Sequence, residues 1–162
     1  MGIKDQLDPK QWKALFNAPV AASTYVSSAS GGGLEMLKEI MSASRFMQEI
    51  EQEGAGGGYG EIVDELLDVM MGMPLNEARA ESIQYQSRDP AGMRAEAKQV
   101  VVDGAAVSLS LPGGEGYRKW ILEMAKQVAL TKTGGFLGIG AKSVIDEKEQ
   151  AALDELAALL GV

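Results

Sequence analysis

The sequence predicts an all-α protein, a compact bundle of about six to seven helices in a single domain over residues 1–162. Apolar residues recur three and four positions apart along most of the chain, which is the spacing of one helix face. Asp-Pro pairs at residues 8–9 and 89–90 have the form of helix starts, with Asp as the N-cap and Pro in the first turn. Glycine-rich stretches separate the periodic segments, and a chain of 162 residues with 46% apolar content is long enough to bury a core.

The C-terminal segment contains the best-defined helix. Asp146 followed by Glu149 predicts a capping box, in which the Asp carboxylate accepts from a first-turn N–H and the Glu side chain reaches back. Apolar residues follow at helical spacing: Ala152, Leu153, Leu156, Leu159 and Leu160. One side of this helix therefore needs a partner.

The N-terminal third predicts two helices. From Asp8, the spacing of Trp12 and Phe16 indicates a short amphipathic helix. Pro19 allows a break or kink after residues 17–18, because proline lacks the N–H that a helix interior uses. Residues 20–30, made almost wholly of Ala, Ser, Val and Thr, then predict a closely packed helix that glycines 31–33 end.

The middle of the chain predicts further helices. Amphipathic helices over residues 34–53 and 60–71 flank a glycine-rich stretch at 54–58, which is long enough to form a mobile loop. Residues 76–87 are polar and predict a weak surface helix. A clear amphipathic helix contains Tyr117, Trp120, Ile121, Met124, Ala125 and Val128.

Residues 100–109 allow two interpretations. Taken alone, the valines, the Asp-Gly pair and the alternating run that follows predict a β-hairpin. Taken from the capped start at Asp89, the apolar positions continue one helical face as far as Gly104. We favour the helix, because a lone hairpin in an otherwise helical chain is only marginally stable.

An internal echo indicates a duplicated helical hairpin. A small-residue element, a glycine-rich break and an amphipathic helix occur over residues 20–47 and again over 100–129. A duplicated pair would bury the two small-residue helices against each other at the centre.

Composition excludes several classes of function. The chain has no cysteine and no histidine, which removes disulfides, thiolate nucleophiles, zinc fingers and the commonest general base near neutral pH. Any metal would have to be a hard cation held by oxygen atoms. A net charge of −8 argues against a nucleic-acid partner, which requires a basic footprint.

No apolar run reaches the length of about 20 residues that crosses a bilayer, and the N-terminus lacks the apolar region of a signal peptide. We therefore expect a cytoplasmic protein without membrane contacts.

Two acidic groups are candidates for a cation site. Glu61, Asp64, Glu65 and Asp68 form a carboxylate stripe on one helix face. A stripe on a single helix directs its carboxylates outward, and a solvated acidic face is its ordinary interpretation. Helix capping explains the second group, around Asp146. The sequence therefore predicts no catalytic, cofactor-binding or metal-binding residue and no cofactor.

Three stretches resemble a known family. They are MGIKDQLDPKQWK at residues 1–13, VDG at 102–104, and GGFLG at 134–138 followed by IDEKEQAAL at 145–153. These stretches are similar to small bacterial proteins related to the tellurite-resistance TerB group. The resemblance implies an all-helical, duplicated fold in cytoplasmic proteins that are tied to stress responses or have no known role. The family's acidic loop of the form Asp-Gly-x-Ile-x-x-x-Glu matches residues 30–37 here, where the Asp is missing.

The sequence thus favours a non-catalytic helical interaction module, with itself or another protein as partner. Exposed candidates for contact are Tyr59 with the adjoining glycine-rich stretch, and the patch Met70–Met73. The alternative is a Ca²⁺- or Mg²⁺-responsive protein that uses the carboxylate stripe. An enzyme is the least favoured class, since no nucleophile and base are marked by any motif.

Overall fold

The structure, a computed structural model, describes residues 2–29, 49, 58–132 and 145–162. Within these residues every regular element is an α-helix, which confirms the all-α prediction. In chain order they are α1 (Ile3–Gln6), α2 (Pro9–Ser27), α3 (Glu61–Gly72), α4 (Leu75–Glu81), α5 (Pro90–Ser108), α6 (Gly114–Lys132) and α7 (Glu147–Leu160). The predicted helix over 34–53, apart from the helical Glu49, lies outside the described residues, as do most of the glycine-rich stretch and residues 133–144.

Helices α2 and α5 form the centre of the bundle. Their mutual contact is the most extensive between any two described helices, and α6 and α7 both pack against this pair. Residues 21–27 of α2 are all buried. The two small-residue helices therefore lie against each other, as the internal echo predicts, while the duplicated hairpin itself stays a prediction.

Helix α2 begins where the sequence predicts, and it does not break at Pro19. The Asp8 carboxylate accepts from the N–H groups of Lys10 (2.8 Å) and Gln11 (2.9 Å), and the helix then continues through Pro19 to Ser27. Proline leaves the carbonyl four residues earlier without its helical donor. That carbonyl belongs to Leu15, and the buried Tyr117 hydroxyl of α6 donates to it at 2.6 Å. A tertiary hydrogen bond thus replaces the missing helical one.

Residues 100–109 are helical, which confirms the favoured interpretation. Helix α5 is capped at Asp89, whose carboxylate accepts from the Gly92 N–H at 2.8 Å. Gly104, which a hairpin would use as a turn residue, instead faces α2. A Cβ built there would lie 2.5 Å from the Ala18 Cβ and 2.9 Å from the Ala14 carbonyl oxygen. Gly104 therefore allows the two central helices to approach closely.

The predicted weak helix over residues 76–87 is half wrong. Only Leu75–Glu81 is helical, and residues 82–89, called the strap below, have no regular structure. Side chains from α2 and α5 bind part of the strap's backbone. Asn17 donates to the Glu81 carbonyl and accepts from the Ile83 N–H, both at 2.8 Å. The Glu96 carboxylate accepts from the N–H groups of Gln86 (2.8 Å) and Ser87 (2.7 Å).

The apolar faces predicted for the later helices are confirmed. Buried core residues include Ile62, Val63, Leu66, Leu67, Tyr117, Trp120, Ile121, Met124, Ala125, Val128, Ala152, Leu153, Leu156 and Leu160. The Asp146–Glu149 capping box is also present, with the Glu149 N–H donating to the Asp146 carboxylate at 2.8 Å. Met71, at the end of the apolar face of α3, is 48% exposed.

The tertiary hydrogen bond at Pro19 predicts a measurable coupling. Replacing Tyr117 by Phe leaves the buried Leu15 carbonyl without its donor, so we expect a loss of about 1–3 kcal/mol in the free energy of unfolding. In a Pro19→Ala background the backbone N–H of residue 19 can bond Leu15, and the same Tyr117→Phe change should cost less. Urea unfolding of the four proteins gives this coupling. Equal costs in both backgrounds would contradict it.

The close approach at Gly104 predicts a second effect. Gly104→Ala forces a methyl group against Ala18 and the Ala14 carbonyl, so we expect destabilisation by about 1–3 kcal/mol. Gly72→Ala is the matched control, because a Cβ at that helical glycine meets no atom within 4 Å. The control should leave stability unchanged or raise it slightly. Thermal unfolding of both variants checks the prediction, and equal melting temperatures would refute it.

Candidate functional site

A surface groove with a volume of about 580 Å³ lies between α2, α5 and the strap. We call it the α2–α5 groove. Its apolar lining comes from three separate parts of the chain: Ala14, Ile83, Val100, Ala106 and Val107. The volume lies within the range of about 300–1,000 Å³ that is usual for binding pockets. An apolar surface of this kind suits a ligand or a protein segment with an apolar side.

Charged groups stand on both walls of the groove. Lys10 and Lys13, three residues apart on α2, line one wall, and Asp103 of α5 lines the other. The Gln99 amide donates to the Asp103 carboxylate at 2.9 Å. Lys13 Nζ lies 3.5 Å from the Ala80 carbonyl oxygen. Neither lysine forms a salt bridge with a carboxylate of the described residues.

The groove is held in shape by buried and clamped groups. Gly104 sets the separation of α2 and α5, and Asn17 fixes the strap at Glu81 and Ile83. Asn17 is itself 4% exposed, and its amide also donates to the Lys13 carbonyl at 2.9 Å. The Asn17 amide nitrogen thus donates both to its own helix and to the end of α4, while its oxygen accepts from the strap. These contacts fix the positions of the two helices and the strap that form the groove.

Sequence reasoning missed this groove. Its lining residues come from segments that lie far apart in the chain, and Ile83 was predicted to be part of a surface helix. The only local signal is the pair Lys10 and Lys13 beside the small residue Ala14. That pattern is common on solvated helix faces and does not by itself indicate a site.

The carboxylate stripe of α3 is used partly for structure. Glu65 accepts from the backbone N–H groups of Ile3 (2.6 Å) and Lys4 (2.8 Å), which joins α1 to α3. Glu61, Asp64 and Asp68 are exposed. In the described part of the chain, no group of three or more Asp or Glu side chains is arranged to hold a metal ion. A Ca²⁺ or Mg²⁺ site at this stripe receives no support from the geometry.

The two predicted contact surfaces differ in how much of each is exposed. Tyr59 is partly buried and packs against the core, so it is not the exposed residue that the sequence predicts. Within the patch Met70–Met73, the side chains of Met70 and Met73 also pack on the core, while Met71 stays exposed. Leu75, just beyond the patch, is 82% exposed.

A second cavity of about 440 Å³ contains an ionic cluster. The Arg94 guanidinium stacks on the Tyr25 ring at 4.3 Å, and Glu155 pairs with Lys98 (2.7 Å) and Arg94 (3.6 Å). Burial and then the hydrogen bond to Glu155 raise the pKa of Tyr25 to about 12. The hydrogen bond from Lys98 and then that from Tyr25 lower the pKa of Glu155. These groups satisfy one another and join α2, α5 and α7.

No protein-family model matches the chain, and no curated protein or solved structure matches it either. The resemblance to the TerB-related proteins therefore stays a prediction. Among the described helices, none is both long enough and apolar enough to cross a membrane.

The ionic cluster predicts a pH-dependent contribution to stability. Because the pKa of Glu155 is lower in the folded protein, its contribution is present above the usual value of 4.5 and is lost as the pH falls through the folded value. We expect Glu155→Gln to lower the melting temperature at neutral pH, and the gap to wild type to close as the pH falls through the folded pKa of Glu155. Lys98→Met should show the same trend. A gap in melting temperature that does not change with pH would contradict this.

Proposed function

We propose that this protein is a non-catalytic interaction module whose α2–α5 groove binds the apolar side of a segment from another protein chain. The observation that carries the proposal is the groove itself, with an apolar lining and charged walls. Helix-in-groove recognition uses this combination, since apolar anchors supply affinity and rim charges supply orientation.

Hydrogen bonds and burial within the fold account for the pKa shifts of six side chains. Glu115 and Glu155 have lowered pKa values, each chiefly because of a hydrogen bond from a lysine, and Ser87 and Gly92 lower that of Asp89 in the same way. Burial raises the pKa of Tyr25, Tyr85 and Tyr117. Each of these shifts moves a group away from neutral pH. General acid–base catalysis uses shifts in the opposite direction.

The Ca²⁺- or Mg²⁺-responsive alternative has weaker support. A good oxygen site needs several ligands that converge on one point. Glu65, a member of the stripe, instead binds two backbone N–H groups of α1. The stress-associated role and the cytoplasmic location implied by the TerB resemblance stay predictions.

A groove-filling variant tests the proposal. Helical peptides are selected from a displayed library for binding to the wild-type protein, and their affinities are measured by fluorescence anisotropy. Ala106→Trp fills the groove, and we expect it to weaken binding by tenfold or more, roughly the effect of removing an interface anchor. Ala151→Trp is the matched control, since Ala151 is an exposed alanine on α7 outside the groove. It should bind as wild type does.

Two results would count against the proposal. The first is that the selected peptides bind both tryptophan variants equally well, which would place their site elsewhere. The second is that no peptide binds the wild type. Circular dichroism of each variant excludes a folding defect as the cause of lost binding.

A further inference from the structure

The turn between α3 and α4 exposes apolar side chains beside a carboxylate. Leu75 is the most exposed large apolar residue of the described chain at 82%, and Met71 is 48% exposed. Asp68 is also exposed and stands three residues before Met71, on the same face of α3. We call Asp68, Met71 and Leu75 the α3–α4 corner.

This corner is anchored rather than loose. Met70 and Met73 on either side of Met71 pack against the core, and the buried residues Leu66 and Leu67 fix α3 beneath them. Because its side chain stays in water, an exposed leucine on this turn adds no apolar burial to the stability of the folded monomer. Burying it against an apolar partner removes it from water, which is favourable.

The α2–α5 groove has an apolar lining and positive charges, which are complementary to the apolar side chains and the carboxylate of the corner. Its lining is apolar, and Lys10 and Lys13 stand on its wall without a carboxylate partner among the described residues. Lys98, Lys119 and Lys126 pair with glutamates of their own chain, whereas Lys4 and Lys148, like the two groove lysines, form no salt bridge among the described residues. Asp103 lies on the opposite wall of the groove, so the positive charge is confined to the α2 wall. In a chain with a net charge of −8, the approach of an acidic surface is opposed over most of the protein. A wall with two unpaired lysines is a place where such an approach is favourable.

We propose that the partner is a second copy of this chain, and that the α3–α4 corner of one copy docks in the α2–α5 groove of the other. Met71 and Leu75 then lie on the apolar lining, and Asp68 faces Lys10 and Lys13. This inference rests on the proposed function, because it uses the same groove and adds the identity of its occupant.

The corner and the groove lie near opposite ends of one short helix. Helix α4 joins the two surfaces directly, since it begins at Leu75 and ends at Glu81, where Asn17 binds it. Its seven residues span about 10 Å. With the surfaces this close, a two-fold axis between them lets each copy provide both a corner and a groove. The expected mass is about 34 kDa, twice the 17.2 kDa of one chain.

Sedimentation velocity over a range of concentrations tests the dimer. We expect wild type to dimerise, and Leu75→Ser to raise the dimer dissociation constant by tenfold or more, roughly the effect of losing a buried anchor. Leu109→Ser is the matched control, since Leu109 is also a strongly exposed leucine, at 72%, and lies outside the corner. The control should dimerise as wild type does. Melting temperatures confirm that both variants fold.

A charge-exchange pair makes the test specific to the proposed contact. Lys13→Glu and Asp68→Lys should each weaken the dimer, and the double variant should restore it, because the opposite charges then face each other again. Added salt should weaken the wild-type dimer and leave a smaller difference among the variants. Failure of the double variant to recover would overturn the proposed pairing.

The outcomes separate this inference from the proposed function. If the wild-type protein stays monomeric in sedimentation, the dimer is overturned. The groove would still stand as a binding site if the selected peptides bind Ala106→Trp more weakly than wild type. A dimer that Leu75→Ser and Ala106→Trp both leave intact would overturn the docking of corner into groove. A dimer lost in both variants, with Leu109→Ser unchanged, supports it.

Discussion

A hydrogen bond from the Tyr117 hydroxyl to the Leu15 carbonyl, at 2.6 Å, replaces the helical bond that Pro19 removes from α2. Pro19 removes the helical donor of that carbonyl in the middle of the most buried helix, and an unpaired buried carbonyl would cost about 1–3 kcal/mol. The phenol enters beside Gly104, where a Cβ would come within 3.4 Å of its oxygen. Three residues on three helices are therefore constrained together. Tyr117 supplies the hydrogen bond that Pro19 removes, and Gly104 lets α2 and α5 approach each other closely.

Side chains also complete the backbone hydrogen bonds of the non-helical segments. Asn17 and Glu96 bind the strap, and Glu65 binds the first turn of α1. Buried backbone groups must find partners, and here they find them in amide and carboxylate groups of neighbouring helices. One consequence is that Glu65, an acid which the sequence offers as a cation ligand, is used to hold the fold together. A second is that the strap has a fixed position, and so it can form a wall of the α2–α5 groove.

Some surface charges of the bundle have partners within the chain, while other surface regions expose apolar side chains and charges without such partners. The cluster of Tyr25, Arg94, Lys98 and Glu155 is satisfied, since each charge has a partner within the chain. The α2–α5 groove is apolar, with two lysines on its α2 wall and Asp103 on its α5 wall, and the α3–α4 corner is apolar with one carboxylate. The lysine wall and the corner are complementary in charge. A module that acts by association needs such regions to remain after folding. Their complementarity is the reason for proposing a second copy as the occupant.

The sequence by itself determined the helical class, the caps at Asp8, Asp89 and Asp146, and the buried faces of α3, α6 and α7, because capping and the 3.6-residue period are local properties. It also favoured the helix over residues 100–109. Tertiary structure decided what depends on a distant partner. Pro19 does not break α2 because Tyr117, far along the chain, binds Leu15, and the strap is not helical because Asn17 and Glu96 bind its backbone. The α2–α5 groove is likewise formed by three segments remote in sequence, and no local pattern can place them side by side.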